Sequence, residues 1–108
     1  MKAVLKKSDA AEPFSFVFED GGKTLLRSEN YKEKRSATNG IESVQKNCGS
    51  DGRYEMKESS NGKFYFNLKA SNGQIIGTSP MFASDADRAS AIAALKTASS
   101  APVEDRTG

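Results

Sequence analysis

Apolar and polar side chains alternate along Phe14-Ser15-Phe16-Val17-Phe18, and the alternation returns in Phe64-Tyr65-Phe66-Asn67-Leu68. A period of two puts successive side chains on opposite faces of a strand, so Phe14, Phe16 and Phe18 predict one buried face, as do Phe64, Phe66 and Leu68. Ser15, Val17, Tyr65 and Asn67 fall on the other face. A turn follows each strand. Asn72-Gly73 precedes Gln74-Ile75-Ile76-Gly77-Thr78, and Asn-Gly supplies the two positive-φ positions of a type I′ hairpin; Gly21-Gly22 can do the same in the first half. Asn61-Gly62 separates Tyr54-Glu55-Met56-Lys57-Glu58 from the Phe64 strand, which predicts a three-stranded meander. Ala3 to Lys7 is its match in the first half, although the connection Ser8 to Pro13 has no such turn signature.

Downstream the period lengthens. Ser84-Asp85-Ala86-Asp87 predicts a helix start, with the Ser84 hydroxyl accepting an amide proton and two carboxylates beside the positive helix end. Ala89, Ile92, Leu95 and Lys96 follow at spacings of three and four. In the first half Ala37, Gly40, Ile41, Val44 and Cys48 trace the same stripe, with Glu33 where Ser84 falls, so this helix has the poorer start. Gly40 corresponds to Ala91, which implies close approach of helix backbone to strands. Asn47 to Gly52 reads as a helix stop and linker, and Ser99 to Gly108 as a short edge strand around Val103 followed by a frayed tail.

The two halves are copies. Their offset is 50 at the phenylalanines and 51 beyond the turn, where Gly22 matches Gly73, Leu25 Ile76, Ser28 Ser79, Tyr31 Phe82, Ile41 Ile92 and Val44 Leu95. A unit of about 50 residues is too small to bury a good core alone, so two copies should pack as one. The expectation is an α+β fold in a single pseudo-two-fold domain, residues 1–108. Two tandem β3-α(-β) repeats, about 1–50 and 51–108, would form one antiparallel sheet of about six strands with both helices on the phenylalanine face. Joining the sheets edge to edge hides one edge of each, and a monomer is expected.

Composition narrows the classes of function. Sixteen basic against fourteen acidic side chains leave +2, far from the excess that general phosphate-backbone binding needs. A single cysteine, Cys48, makes no internal disulfide, and Met1 to Lys7 lacks the apolar stretch of a secretory signal. No run approaches the roughly 20 apolar residues of a membrane span. A cytoplasmic protein without membrane association is expected.

The set Phe64 to Ala70, Asn72-Gly73-Gln74-Ile75-Ile76, Ser79, Phe82 and the helix around Ile92 resembles the YegP-like family of small bacterial proteins, the domain of unknown function 1508 (UPF0339) family. The first copy carries the same frame through Phe14 to Phe18, Ser28-Glu29-Asn30-Tyr31 and Gly40-Ile41-Glu42-Ser43-Val44. Departures are Glu19-Asp20 where a Lys-Ala pair is usual, Pro80, and Arg88 to Ala91 where a glycine often precedes the isoleucine. The resemblance implies that the closing strand of each unit is exchanged toward the other, with Asp51 to Glu55 and Pro102 to Asp105 as the candidates. It implies no established activity, cofactor or catalytic residue.

Candidate chemistry is sparse. With no histidine, histidine-dependent triads are excluded. Ser28 and Ser79 are placed as turn-closing hydroxyls rather than nucleophiles, and Cys48, at the negative end of a helix, as a partly buried inert thiol. Glu42, Asp51, Glu55, Glu58, Asp85 and Asp87 read as a solvated face, and no spacing suggests a metal or cofactor site. One sharper pattern remains. Alternation gathers Lys63, Tyr65, Asn67 and Lys69 on the helix-free face as candidate binding residues. A non-catalytic module with an unidentified protein partner is favoured, a weak single-stranded nucleic-acid binder is the alternative, and a small-molecule enzyme stands third.

Overall fold

The alternation becomes strand geometry in a computed structural model that describes residues 1–107; Gly108, the end of the expected frayed tail, lies outside the described residues. Among these residues the strands are β1 (Lys2–Lys7), β2 (Phe14–Asp20), β3 (Lys23–Arg27), β4 (Tyr54–Glu58), β5 (Phe64–Lys69), β6 (Ile75–Thr78) and β7 (Val103–Asp105). Helix α1 spans Lys34–Asn47 and α2 spans Asp85–Leu95. One sheet runs in the order β4-β5-β6-β3-β2-β1-β7, which puts corresponding strands of the two copies at matching distances from the β3–β6 seam.

The fold class is α+β as expected, but the sheet has seven strands and is mixed, because β7 joins β1 in parallel. The chain leaves α2, makes a 3₁₀ turn over Ala98–Ser100 and crosses to the far edge, where Ala3 N–H donates to Pro102 O at 2.9 Å and Arg106 N–H to Leu5 O at 2.8 Å. The strands that α2 connects, β6 and β7, run in opposite directions; three antiparallel pairings separate β1 from β6, so β1 also runs opposite to β6 and β7 is parallel to β1. Of the two candidate exchanged strands, Pro102 to Asp105 supplies β7 on the first copy's edge. Asp51 to Glu55 supplies no strand of its own. Asp51–Arg53 is a 3₁₀ turn and Tyr54 already opens β4, which the second copy uses as its first strand.

Turn chemistry departs from expectation in one respect. Gly21 and Gly22 take φ of 59° and 81° between the paired residues Asp20 and Lys23, as a type I′ turn requires. The two Asn-Gly pairs instead close three-residue loops in which the glycine alone is left-handed, Gly62 at 79° and Gly73 at 85°. Gly62 N–H donates to Ser59 O and Gly73 N–H to Ala70 O, while Asn72 Oδ1 accepts from Gln74 N–H. The extra residue before Gly73 lengthens the loop and removes the need for a second positive φ.

Phe16, Phe18 and Phe66 are fully buried, and burial of each such side chain contributes roughly 1.5–3 kcal/mol. The ring of Phe16 stacks on Tyr31 at 6.5 Å and that of Phe66 on Phe82 at 6.4 Å, so matched residues repeat the same contact. Helix α1 packs across β1, β2, β5 and β6, and α2 across β3 and β5, so each helix touches both copies. As expected, α1 buries Ala37, Gly40, Ile41 and Val44 without a side-chain cap, and α2 begins with Ser84 Oγ accepting from Asp87 N–H at 3.1 Å. Ala89 is exposed, however. The buried stripe of α2 is Ala91, Ile92 and Leu95, one step round the helix from the predicted one.

Two glycines permit close approach. A Cβ on Gly40 would lie 2.7 Å from Phe16 Cε2 and 3.0 Å from the Tyr31 hydroxyl. At the seam, where only Arg27 and Thr78 pair, a Cβ on Gly77 would lie 2.6 Å from Leu26 Cδ2. Ser28 and Ser79 finish the strands beside this seam: each hydroxyl accepts from a buried phenylalanine amide, Phe16 or Phe66, at 2.9 Å. For Gly40→Ala, a helix-propensity gain of about 1 kcal/mol opposes an overpacking cost of about 1–3 kcal/mol. A net loss of stability is expected in urea unfolding, with the m-value unchanged.

Candidate functional site

The helix-free face of β4, β5 and β6 carries the candidate residues. Register places Glu55 beside Asn67, Lys57 beside Tyr65 and Asn67 beside Thr78. Tyr65 is partly exposed on this face, and Lys69 lies four positions along the same strand. Lys63 precedes β5 in the exposed turn, held through its backbone by Ser59 N–H to Lys63 O at 2.8 Å and Lys63 N–H to Ser59 Oγ at 3.1 Å.

Asn67 is not a free surface amide. It is 7% exposed, its Nδ2 donates to Glu55 Oε1 at 3.0 Å, and its Oδ1 accepts from the Thr78 hydroxyl at 2.8 Å. Lys69 Nζ completes the chain with Glu55 Oε2 at 2.8 Å, and Lys57 Nζ lies 3.9 Å from Glu55 Oε1. The hydrogen bonds from Lys69 and Asn67 hold the Glu55 carboxyl below the usual glutamate range. Thr78, Asn67, Glu55 and Lys69 therefore form one satisfied polar network across three strands. Sequence reasoning gathers the β5 residues but puts Glu55 on a solvated face, whereas Asn67 and Lys69 hold it in the network, and it does not single out Lys57 or Thr78. Period two along Tyr54 to Glu58 would have put Glu55 and Lys57 on one face; which face becomes visible only with the register.

The first copy is different at the same places. Ala3 pairs with Phe18 as Tyr54 pairs with Leu68, so Val4 stands for Glu55 and Val17 for Asn67. Val4 and Val17 are 0% and 8% exposed and lie outside the helix-covered core cluster. The first half of the open face thus centres on a buried valine pair flanked by the Lys2–Glu19–Glu104 charges, and the second on a polar network beside an aromatic ring. At the seam the face opens into a cleft of about 410 Å³ lined by Arg27, Ser28, Glu29, Ile75, Thr78 and Ser79.

Elsewhere the reactive groups are occupied. The Ser28 and Ser79 hydroxyls also donate to the carbonyls of Glu29 and Pro80 at 2.7 and 2.8 Å. Cys48 is a buried free thiol whose pKa is raised by burial. Among the described residues no three His, Cys, Asp or Glu side chains cluster as a metal site would require, and no helix is long and apolar enough to cross a membrane.

The sequence family described as a domain of unknown function (DUF1508) matches residues 9–55 and 59–105, once for each copy. The chain belongs to that family. It is 50% identical over 105 residues to the UPF0339 protein YegP of Escherichia coli O157:H7, covering 95% of this chain and 94% of the relative. It is likewise 50% identical over 97 residues to a UPF0339 protein of Acinetobacter baylyi, covering 88% and 87%. The solution NMR structure of the Escherichia coli protein YegP, a protein of unknown function, superposes with a TM-score of 0.90 at 49% identity over 99% of this chain and 93% of that one. A UPF0339 protein of Shewanella oneidensis, also solved by NMR, gives 0.91 at 42% identity over 98% and 91%.

Removing the lysine that clamps the network should release Glu55. In Lys69→Met its titration midpoint, followed by carboxyl NMR, is expected to rise toward the ordinary value near 4.5. Because the folded pKa is depressed, the stability linked to Glu55 is present above the unfolded value and is lost as pH falls through the folded one. Lys69→Met should therefore flatten the acid limb of the stability curve.

Proposed function

We propose that the chain is a non-catalytic binding module of the cytoplasm that presents the open face of β4, β5 and β6 to a protein partner. The observation that carries this is the divergence of the two copies: where the first buries Val4 and Val17, the second holds Glu55 and Asn67 in a fixed polar network beside Tyr65. A sheet needs no such network for stability, since the apolar pair fills the same positions. Preorganised polar groups around an aromatic ring suit recognition, because little freedom is lost when a partner docks. The occupied serine hydroxyls and the buried Cys48 support a role without covalent catalysis.

Single-stranded nucleic acid is the alternative, supported by Lys57 and Lys63 near Tyr65. Glu55 offsets it by pairing with both Lys57 and Lys69.

Affinity capture from native lysate with the intact protein, Tyr65→Ala, and Glu55→Val/Asn67→Val tests the proposal. The double variant copies the valine pair of the first repeat. A partner retained by the unaltered chain and lost with both variants is the expected result; an identical set from all three would place the contact elsewhere. Salt-sensitive shifts around Tyr65 on adding single-stranded DNA, with no partner captured, would favour the alternative.

A further inference from the structure

Among the described residues the outer edge of β4 has no neighbouring strand, whereas the corresponding edge of β1 is covered by β7. Ladder alternation shows which groups this leaves. Phe64 and Phe66 direct their backbone groups toward Phe82 and Ser79, away from β4, and Ser59 N–H donates to Lys63 O. The hydrogen-bonded pairs of the β4–β5 ladder are therefore Glu55 with Asn67 and Lys57 with Tyr65. The backbones of Tyr54, Met56 and Glu58 point outward. Met56 is 52% exposed, while its counterpart Leu5 on the covered edge is 3% exposed.

A strand seated in parallel, as β7 is on β1, fits this edge poorly. It would need Tyr54 N–H, the counterpart of Ala3 N–H, but Tyr54 N–H is already donated to Asp51 O. A β7 from another molecule would also meet Asp85, where Lys34 receives Asp105 in the first copy at 2.6 Å. An antiparallel strand centred on Met56 uses only free groups: Met56 N–H and C=O, Glu58 N–H and Tyr54 C=O. The edge reads Tyr54-Glu55-Met56-Lys57-Glu58, and about Met56 this order sets Glu55 opposite Lys57 on both sides of a two-fold axis. Opposite charges directly across strands stabilise a ladder and like charges oppose it. Lys57 is free to turn outward, its side chain 45% exposed and only loosely in reach of its own Glu55 at 3.9 Å.

We infer that the β4 edge is a self-association site: a second copy of this chain adds its own β4 antiparallel across a two-fold at Met56. The two methionines then cover one another, and the sheet and its open face continue through both molecules. This stands independently of the partner proposed for the open face. Five residues per edge, against the roughly 20 to 30 per side of stable complexes, make the dimer weak, with a Kd on the order of 0.1–1 mM. The monomer expected from the sequence is the species at low concentration.

Sedimentation of the intact chain from about 20 µM to about 1 mM reads this directly. Its weight-average mass should rise from 11.6 kDa toward twice that value, and a mass unchanged at the upper concentration would overturn the inference. Lys57→Glu and Glu55→Lys each place like charges at both flanks and should weaken association tenfold or more. An equimolar mixture of the two restores opposite charges at both flanks and should associate again. Met56→Lys leaves the Glu55 network in place and should also abolish the dimer. Association unaffected by Met56→Lys, or a mixture of folded charge variants that stays monomeric, would sink the assignment.

Discussion

At the seam between the two copies, Leu26 of β3 lies against the notch left by Gly77 of β6, and the continuity of the sheet rests on that fit. The two residues are counterparts, 51 positions apart, on the core face of the strands where the copies meet. Two leucines would compete for one volume; a leucine and a glycine share it. With Arg27 and Thr78 the one paired position between β3 and β6, backbone hydrogen bonding contributes little to the join. Apolar packing carries it, assisted by helices that each reach across to the other copy's strands. A duplicated chain can repeat its sequence everywhere except at such a self-facing contact, and here the repeat breaks.

A second break lies on the open face. Aromatic contacts in the core are duplicated almost to the ångström, Phe16 on Tyr31 and Phe66 on Phe82. On the other face the copies hold Val4 with Val17 and Glu55 with Asn67 at equivalent places. Packing restrains the first set, because small volume changes in a dense interior are costly. The second set is also largely buried but lies outside that helix-covered interior, and it holds different chemistry in each half. The duplicated scaffold thus holds one face constant while the other diverges.

Period-two alternation was enough to read β2 and β5, their buried faces and the flanking hairpins, and the switch in period located both helices. What escaped was relational. The serine cap fixed where α2 begins, but the narrow alanine-rich stripe did not show that Ala91 rather than Ala89 faces the sheet. Asn-Gly signals a turn without its loop length, so Asn72-Gly73 predicts a type I′ turn where a three-residue loop with one left-handed glycine forms. The direction of β7 depends on where the crossover lands, which no local pattern encodes. Tyr65, Asn67 and Lys69 were legible as one face, yet the burial of Asn67 depends on a carboxylate twelve residues away on the neighbouring strand.

The seam is best tested by a double-mutant cycle in urea between Gly77→Ala and Leu26→Ala. Alone, Gly77→Ala should cost about 1–3 kcal/mol, because its new methyl group meets the leucine. In the Leu26→Ala background most of that cost should vanish, since the shortened side chain vacates the volume. An equal cost in both backgrounds would show that the two residues do not share the seam, and the account of how the copies are joined would fail.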